Sequence, residues 1–111
     1  MNAGRLLDCP YTPEFTHVIV DEAGQMTEPE CLIPMSVAPR SKVVLTGDPK
    51  QLGAVVKSPL AEHFGLSVSL MERLMSNKMY MKNLGLYGNH GGYNPKLVTK
   101  LINNYRFLKF K

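Results

Sequence analysis

One pattern, repeated, constrains this chain more than any other. FTHVIV at residues 15–20 runs directly into Asp21 and Glu22, and KVVLT at residues 42–46 runs into Gly47 and Asp48. Both runs are rich in β-branched residues and carry three consecutive apolar residues without alternation, which is how a strand covered on both faces reads. Between them, Thr27 is placed to cap a helix starting at Glu28, with Glu30 reaching back to it and Pro29 tolerated in the first turn. Pro34 removes a backbone donor and is expected to kink that helix, and Pro39 ends it before the second strand. Strand, helix of about three turns and strand make a βαβ crossover, which implies parallel neighbours and a right-handed connection. The pattern therefore predicts an α/β fold with parallel strands and crossover helices. In open parallel sheets the ligand sits beyond the carboxyl ends of the strands. Asp21, Glu22 and Asp48 all fall there.

With 111 residues the chain can hold one modest core, and 44% hydrophobic with 20% charged residues is a globular composition. No apolar stretch approaches the ~20 residues of a membrane helix, and MNAGRLLDCP has no signal-peptide core, so the expected compartment is the cytoplasm with no membrane partner. Cys9 and Cys31 fit neither a disulfide framework nor a C-x-x-C pair. His17, His63 and His90 are too scattered for ligand spacing. All five read as structural. The net charge of +4 is unevenly spread: residues 1–72 carry nine acids and five bases, whereas residues 73–111 carry eight bases and no acid. A basic segment can follow the phosphates of nucleic acid or of a nucleotide, although a chain cut away from its balancing acids would look the same.

After Asp48, PKQLGAVV reads as a loop, followed by a short helix that Ser58 caps and Pro59 starts. Residues 67–76 carry Leu70, Met71, Leu74 and Met75 at helical spacing, predicting a core-facing helix. Residues 82–95 hold four glycines and read as an irregular loop. LVTKLINNYR, at residues 97–106, fits a strand or a short helix, with Val, Thr and Ile favouring the strand.

Adjacent carboxylates at a strand tip suit phosphoryl transfer. An Asp can hold Mg²⁺, directly or through water, while the next carboxylate takes a proton from the attacking water. Such dipeptides also occur in solvated turns, so the second strand matters. GDPKQ places a flexible glycine, an acid and a neutral amide on the neighbouring loop, where Gln51 could donate to a terminal phosphate oxygen or orient a water. The plainer reading makes Gln51 an exposed loop amide and Asp48 a turn cap.

These residues carry a family resemblance. DEAGQ at 21–25, TEPECLIP at 27–34, GDPKQLG at 47–53, SLMERL at 69–74 and NNYR at 103–106 resemble successive motifs of superfamily 1 RNA helicases. The resemblance is to the up-frameshift-like branch and, within it, to the Moloney leukaemia virus 10 and Armitage subfamily. It covers nearly the whole chain, with five motifs in order. It implies a partial RecA-like P-loop NTPase domain using ATP and Mg²⁺, with residues 1–111 as a fragment of the first RecA-like domain. By resemblance, Asp21 holds Mg²⁺ at the Walker B position and Glu22 is the general base. Asp48 and Gln51 sense the γ-phosphate and link it to the nucleic-acid groove. Tyr105 stacks near the adenine, and Arg106 is an arginine finger. The implied partners are RNA and Argonaute-family proteins, in small-RNA silencing and cytoplasmic ribonucleoprotein granules.

No G-x-x-x-x-G-K-[ST] phosphate loop occurs in the sequence. The family places that loop upstream and a second RecA-like domain downstream, so both ends are expected to be truncated and the chain alone inactive. Two other readings compete with a helicase fragment. One is a non-catalytic module that binds RNA or protein through the basic third; the other is a P-loop ATPase that is not a helicase.

Overall fold

The computed structural model describes residues 14–103. The described residues divide into two compact units, the first ending at Leu74 and the second starting at Met75.

In the first unit, strand β1 spans His17–Val20, helix α1 spans Glu28–Val37 and strand β2 spans Lys42–Leu45. The two strands pair in parallel, in a register that sets His17 against Lys42 and Val20 against Leu45. This is the expected strand–helix–strand unit of an α/β fold. Helix α1 begins where the local signals put it. Glu30 Oε2 accepts from the Thr27 N–H at 3.0 Å and from the Thr27 hydroxyl at 2.8 Å, closing the reach-back half of a capping box. Pro34 lies inside the helix, and Ala38 caps its C-terminus.

Both strands are shorter than expected, and they are not covered on both faces. Val20 is buried and Val18 half-buried, but Ile19 is 69% exposed, and Val43 and Val44 are also exposed. Successive strand residues point to opposite faces, and among the described residues the core gathers on one of them. That core consists of Val20, Ala23, Cys31 and Leu70, with Val18, Met26, Met35, Leu45, Met71 and Leu74 packed around it. Cys31 is free and fully buried, so it acts as a small apolar filler.

Helix α2 spans Pro59–His63, with the Ser58 hydroxyl accepting from the Ala61 N–H at 3.3 Å. Helix α3 spans Leu70–Met75 and places Leu70, Met71 and Leu74 on the core, as their spacing predicts. It is shorter than residues 67–76 because the Ser69 hydroxyl accepts from the Glu72 N–H at 3.1 Å and starts the helix there.

Two expectations for the second unit are corrected. Residues 82–95 hold a one-turn helix, α4, at Leu84–Tyr87 and a 3-10 turn at Gly88–His90. Asn83 explains the helix: its side chain accepts from the Leu86 N–H at 3.1 Å, and Gly92 closes the loop by donating to the Tyr87 carbonyl at 2.8 Å. Of the strand or short helix expected at residues 97–106, the described part, 97–103, forms neither, since no strand among the described residues pairs with it, and residues 104–106 lie outside the described residues. Leu97 and Val98 instead donate to the Asn94 carbonyl in a turn. Among the described residues no helix is long and apolar enough to cross a membrane.

Candidate functional site

The tip of β1 meets the tip of β2 through backbone hydrogen bonds. The Thr46 N–H donates to the Val20 carbonyl, and the Ala23 N–H donates to the Thr46 carbonyl, both at 2.8 Å. These bonds bracket Asp21 and Glu22. Asp21 Oδ1 accepts from the Thr46 hydroxyl at 2.5 Å and from the Glu22 N–H at 3.0 Å. Among the described residues nothing donates to Asp21 Oδ2 or to the Glu22 carboxylate, and both residues are exposed.

Glu22 has φ +52° and ψ +37°, the left-handed region, and is the one non-glycine residue with positive φ among those described. That conformation is unfavourable for a side chain larger than Asn or Asp. It persists because the flanking bonds over-determine it: Ala23 is fixed to Thr46, and the Gln25 N–H donates to the Glu22 carbonyl at 2.9 Å. The chain then turns through a short 3-10 segment, Ala23–Gln25, and enters α1. Strain of this kind is common at functional sites, and nothing in the sequence signals it here.

The second loop approaches backbone to backbone. A Cβ on Gly24 would lie 2.8 Å from the Asp48 carbonyl oxygen, so only glycine permits the contact. Gly47, at φ +148°, sits against the amides of Ala23 and Gly24. Asp48 is turned inward on its own loop: Oδ1 accepts from the Lys50 N–H at 2.9 Å, and Gln51 Nε2 donates to Oδ2 at 3.4 Å. Its turn-capping reading is therefore met, while Gln51 stays exposed beside Gln25, Leu52, Gly53 and Val55 in a shallow open groove.

Four of the residues singled out in the sequence, Asp21, Glu22, Asp48 and Gln51, thus lie on two loops in direct backbone contact. Tyr105 and Arg106 lie outside the described residues. Two neighbours escaped the sequence reading. Thr46 is the last residue of KVVLT, and Gln25 closes DEAGQ; a polar residue ending an apolar strand was the available signal for Thr46.

Among the described residues, no three His, Cys, Asp or Glu side chains cluster to hold a metal ion by themselves. The donor set still suits Mg²⁺, which is commonly bound by one or two carboxylates together with substrate phosphates and water. Asp21 is exposed, and among the described residues its Oδ2 has no donor.

Comparison with known proteins agrees with this arrangement. A family model described as AAA domain matches residues 2–59. The chain is 56% identical over 94 residues to RNA helicase Mov10l1 of Mus musculus, covering 83% of this chain and 8% of that protein. It is 50% identical over 96 residues to Probable RNA helicase armi of Drosophila melanogaster, covering 85% of this chain and 8% of that protein. To Putative helicase MOV-10 of Gallus gallus it is 42% identical over 118 residues, covering 96% of this chain and 12% of that protein. The chain thus spans about a tenth of the length of these relatives. The parallel βαβ unit, the acidic strand tips and the AAA domain match together make this chain a member of the AAA domain family, in the up-frameshift-like group of superfamily 1 helicases.

Proposed function

We propose that this chain supplies the metal-and-water half of the ATPase site of an ATP-dependent RNA helicase. The observation that carries the reading is the β1 tip, where, among the described residues, one carboxylate is anchored by a single oxygen and the next stands exposed without a donor. In that reading Asp21 would hold Mg²⁺, which would supply charge screening for the phosphates. Glu22 accepts the proton of the attacking water, for which an exposed carboxylate, without a donor among the described residues, is suited. Gln51 and Asp48 report the γ-phosphate to the nucleic-acid groove, Tyr105 stacks on the adenine, and Arg106 offsets charge in the transition state. Arginine fingers contribute ~10³- to 10⁵-fold in rate. The names of the relatives Mov10l1 and armi support RNA as the substrate. Work beside Argonaute-family proteins in small-RNA silencing, in cytoplasmic granules, is part of the same proposal.

In the full-length protein, Glu22→Gln should slow ATP hydrolysis by ~10²- to 10⁴-fold while nucleotide binding persists. Turnover at the wild-type rate would overturn the assignment.

A second reading rests on a different observation. Between residues 75 and 103 every formally charged side chain is a lysine, and Lys78, Lys82, Lys96 and Lys100 are all exposed. A non-catalytic module binding RNA through this surface would lose affinity steeply with salt. RNA binding that ignores salt would exclude it.

A further inference from the structure

Thr46 lies one residue beyond β2, and its backbone is tied to the acidic turn on both sides, to Val20 and to Ala23. Those two bonds fix the position of its Cβ whatever side chain it carries. The strand pairing therefore needs no hydroxyl here, and β2 is otherwise Lys, Val, Val and Leu. A β-branched side chain has restricted χ1, so the hydroxyl is aimed before any ligand arrives. It donates to Asp21 Oδ1 at 2.5 Å, the short, charge-assisted end of such bonds. The Glu22 N–H adds a second donor to the same oxygen.

The terminal torsion of an aspartate is broad and two-fold, so an exposed aspartate without donors presents either oxygen and rocks between them. Two donors converging on Oδ1 remove that freedom and leave Oδ2 as the unengaged oxygen among the described residues. We infer that Thr46 is a positioning residue for Asp21, locking Oδ1 by O–H donation so that Oδ2 remains for a divalent cation. The inference rests on the proposed role of Asp21 as the Mg²⁺ ligand. Groups that orient a metal-binding carboxylate from behind influence metal affinity, because they act through the ligand that holds the metal.

The test uses the full-length protein and a fluorescent ATP analogue, with binding titrated against Mg²⁺ and repeated in EDTA. Thr46→Val keeps the shape and removes the donor, Thr46→Ser keeps the donor, and Asp21→Asn serves as reference. Thr46→Val should raise the Mg²⁺ midpoint by about 10- to 100-fold, as loss of outer-shell partners does elsewhere. Thr46→Ser should restore the midpoint, and binding in EDTA should be unchanged in both. A Mg²⁺ midpoint unmoved by Thr46→Val but raised by Asp21→Asn would overturn the inference and leave the Asp21 assignment standing. Equal loss of binding with and without Mg²⁺, or failure of serine to rescue, would also overturn it, since the role would then be structural. If Asp21→Asn moves nothing, the Asp21 assignment falls and Thr46 falls with it.

Discussion

Arg73 holds Glu28 through two parallel hydrogen bonds, Nε to Oε2 and Nη2 to Oε1, each 2.7 Å long. The pair joins α3 to the first turn of α1 across 45 residues of sequence. An arginine fork matches a carboxylate in a way no lysine can. Glu28 also lies at the positive end of the α1 dipole, so the contact anchors the helix that follows the acidic turn.

That geometry predicts an acid-sensitive contribution to stability. The Arg73 hydrogen bond is the main cause holding Glu28 below the usual glutamate range, and the Thr27 hydroxyl and then its amide do the same for Glu30. Both carboxylates bind protons less readily folded than unfolded. Their stabilisation is therefore complete above about pH 4.3, the unfolded glutamate value, and is lost as pH falls through the lower folded values. Urea midpoints measured between neutral pH and pH 3 should decline in that window, and Glu28→Gln should flatten the decline. A slope unaffected by that substitution would count against the pairing.

Gly24→Ala should separate the two site loops. The added Cβ would press on the Asp48 carbonyl, a backbone atom that cannot swing away. Overpacking of this kind costs about 1–3 kcal/mol. In the full-length protein, if it carries the proposed ATPase site, a lower melting temperature together with weakened ATP hydrolysis is the expected result; hydrolysis at the wild-type rate would mean that the loops need not touch.

Gln51 is exposed and bonded only weakly to Asp48 among the described residues, so its removal should not disturb the fold. In the full-length protein, under the proposed ATPase reading, Gln51→Ala should leave the melting temperature unchanged and reduce RNA-stimulated hydrolysis by ~10- to 100-fold, the scale of mispositioning a reacting group. Equal loss of hydrolysis with and without RNA would assign Gln51 to chemistry rather than to coupling.

Cys31 should resist alkylation in the folded protein. Burial, with a smaller effect from the Glu28 charge, pushes its thiol up, so little reactive thiolate forms near neutral pH. Peptide mapping after brief iodoacetamide treatment should find Cys31 unmodified until denaturant is added. Rapid labelling without denaturant would show that the α1 packing opens.

Helix α1 was readable residue by residue because its signals are local: Thr27, Pro29 and Glu30 act within a single turn. The parallel pairing was readable too, since a three-turn helix between two apolar strands leaves few alternatives. Helix α4 is not legible in the sequence, because four glycines between residues 82 and 95 outweigh one asparagine cap. The coverage of the strands is not legible for another reason. An unalternating run such as VIV gives strand character, but whether Ile19 meets a neighbour depends on what packs there.

The sequence by itself determined the α/β class, the order of the acidic motifs and the family, because periodicity, caps and motif order are properties of neighbouring residues. Only the tertiary structure decided that Glu22 adopts a left-handed backbone, that Gly24 meets the Asp48 carbonyl and that Thr46 claims one oxygen of Asp21. Each of these depends on the register that sets Val20 against Leu45. Hydrogen bonds and close contacts are sensitive to fractions of an ångström, and a strand pattern with a two-residue period cannot specify distances between residues 25 positions apart.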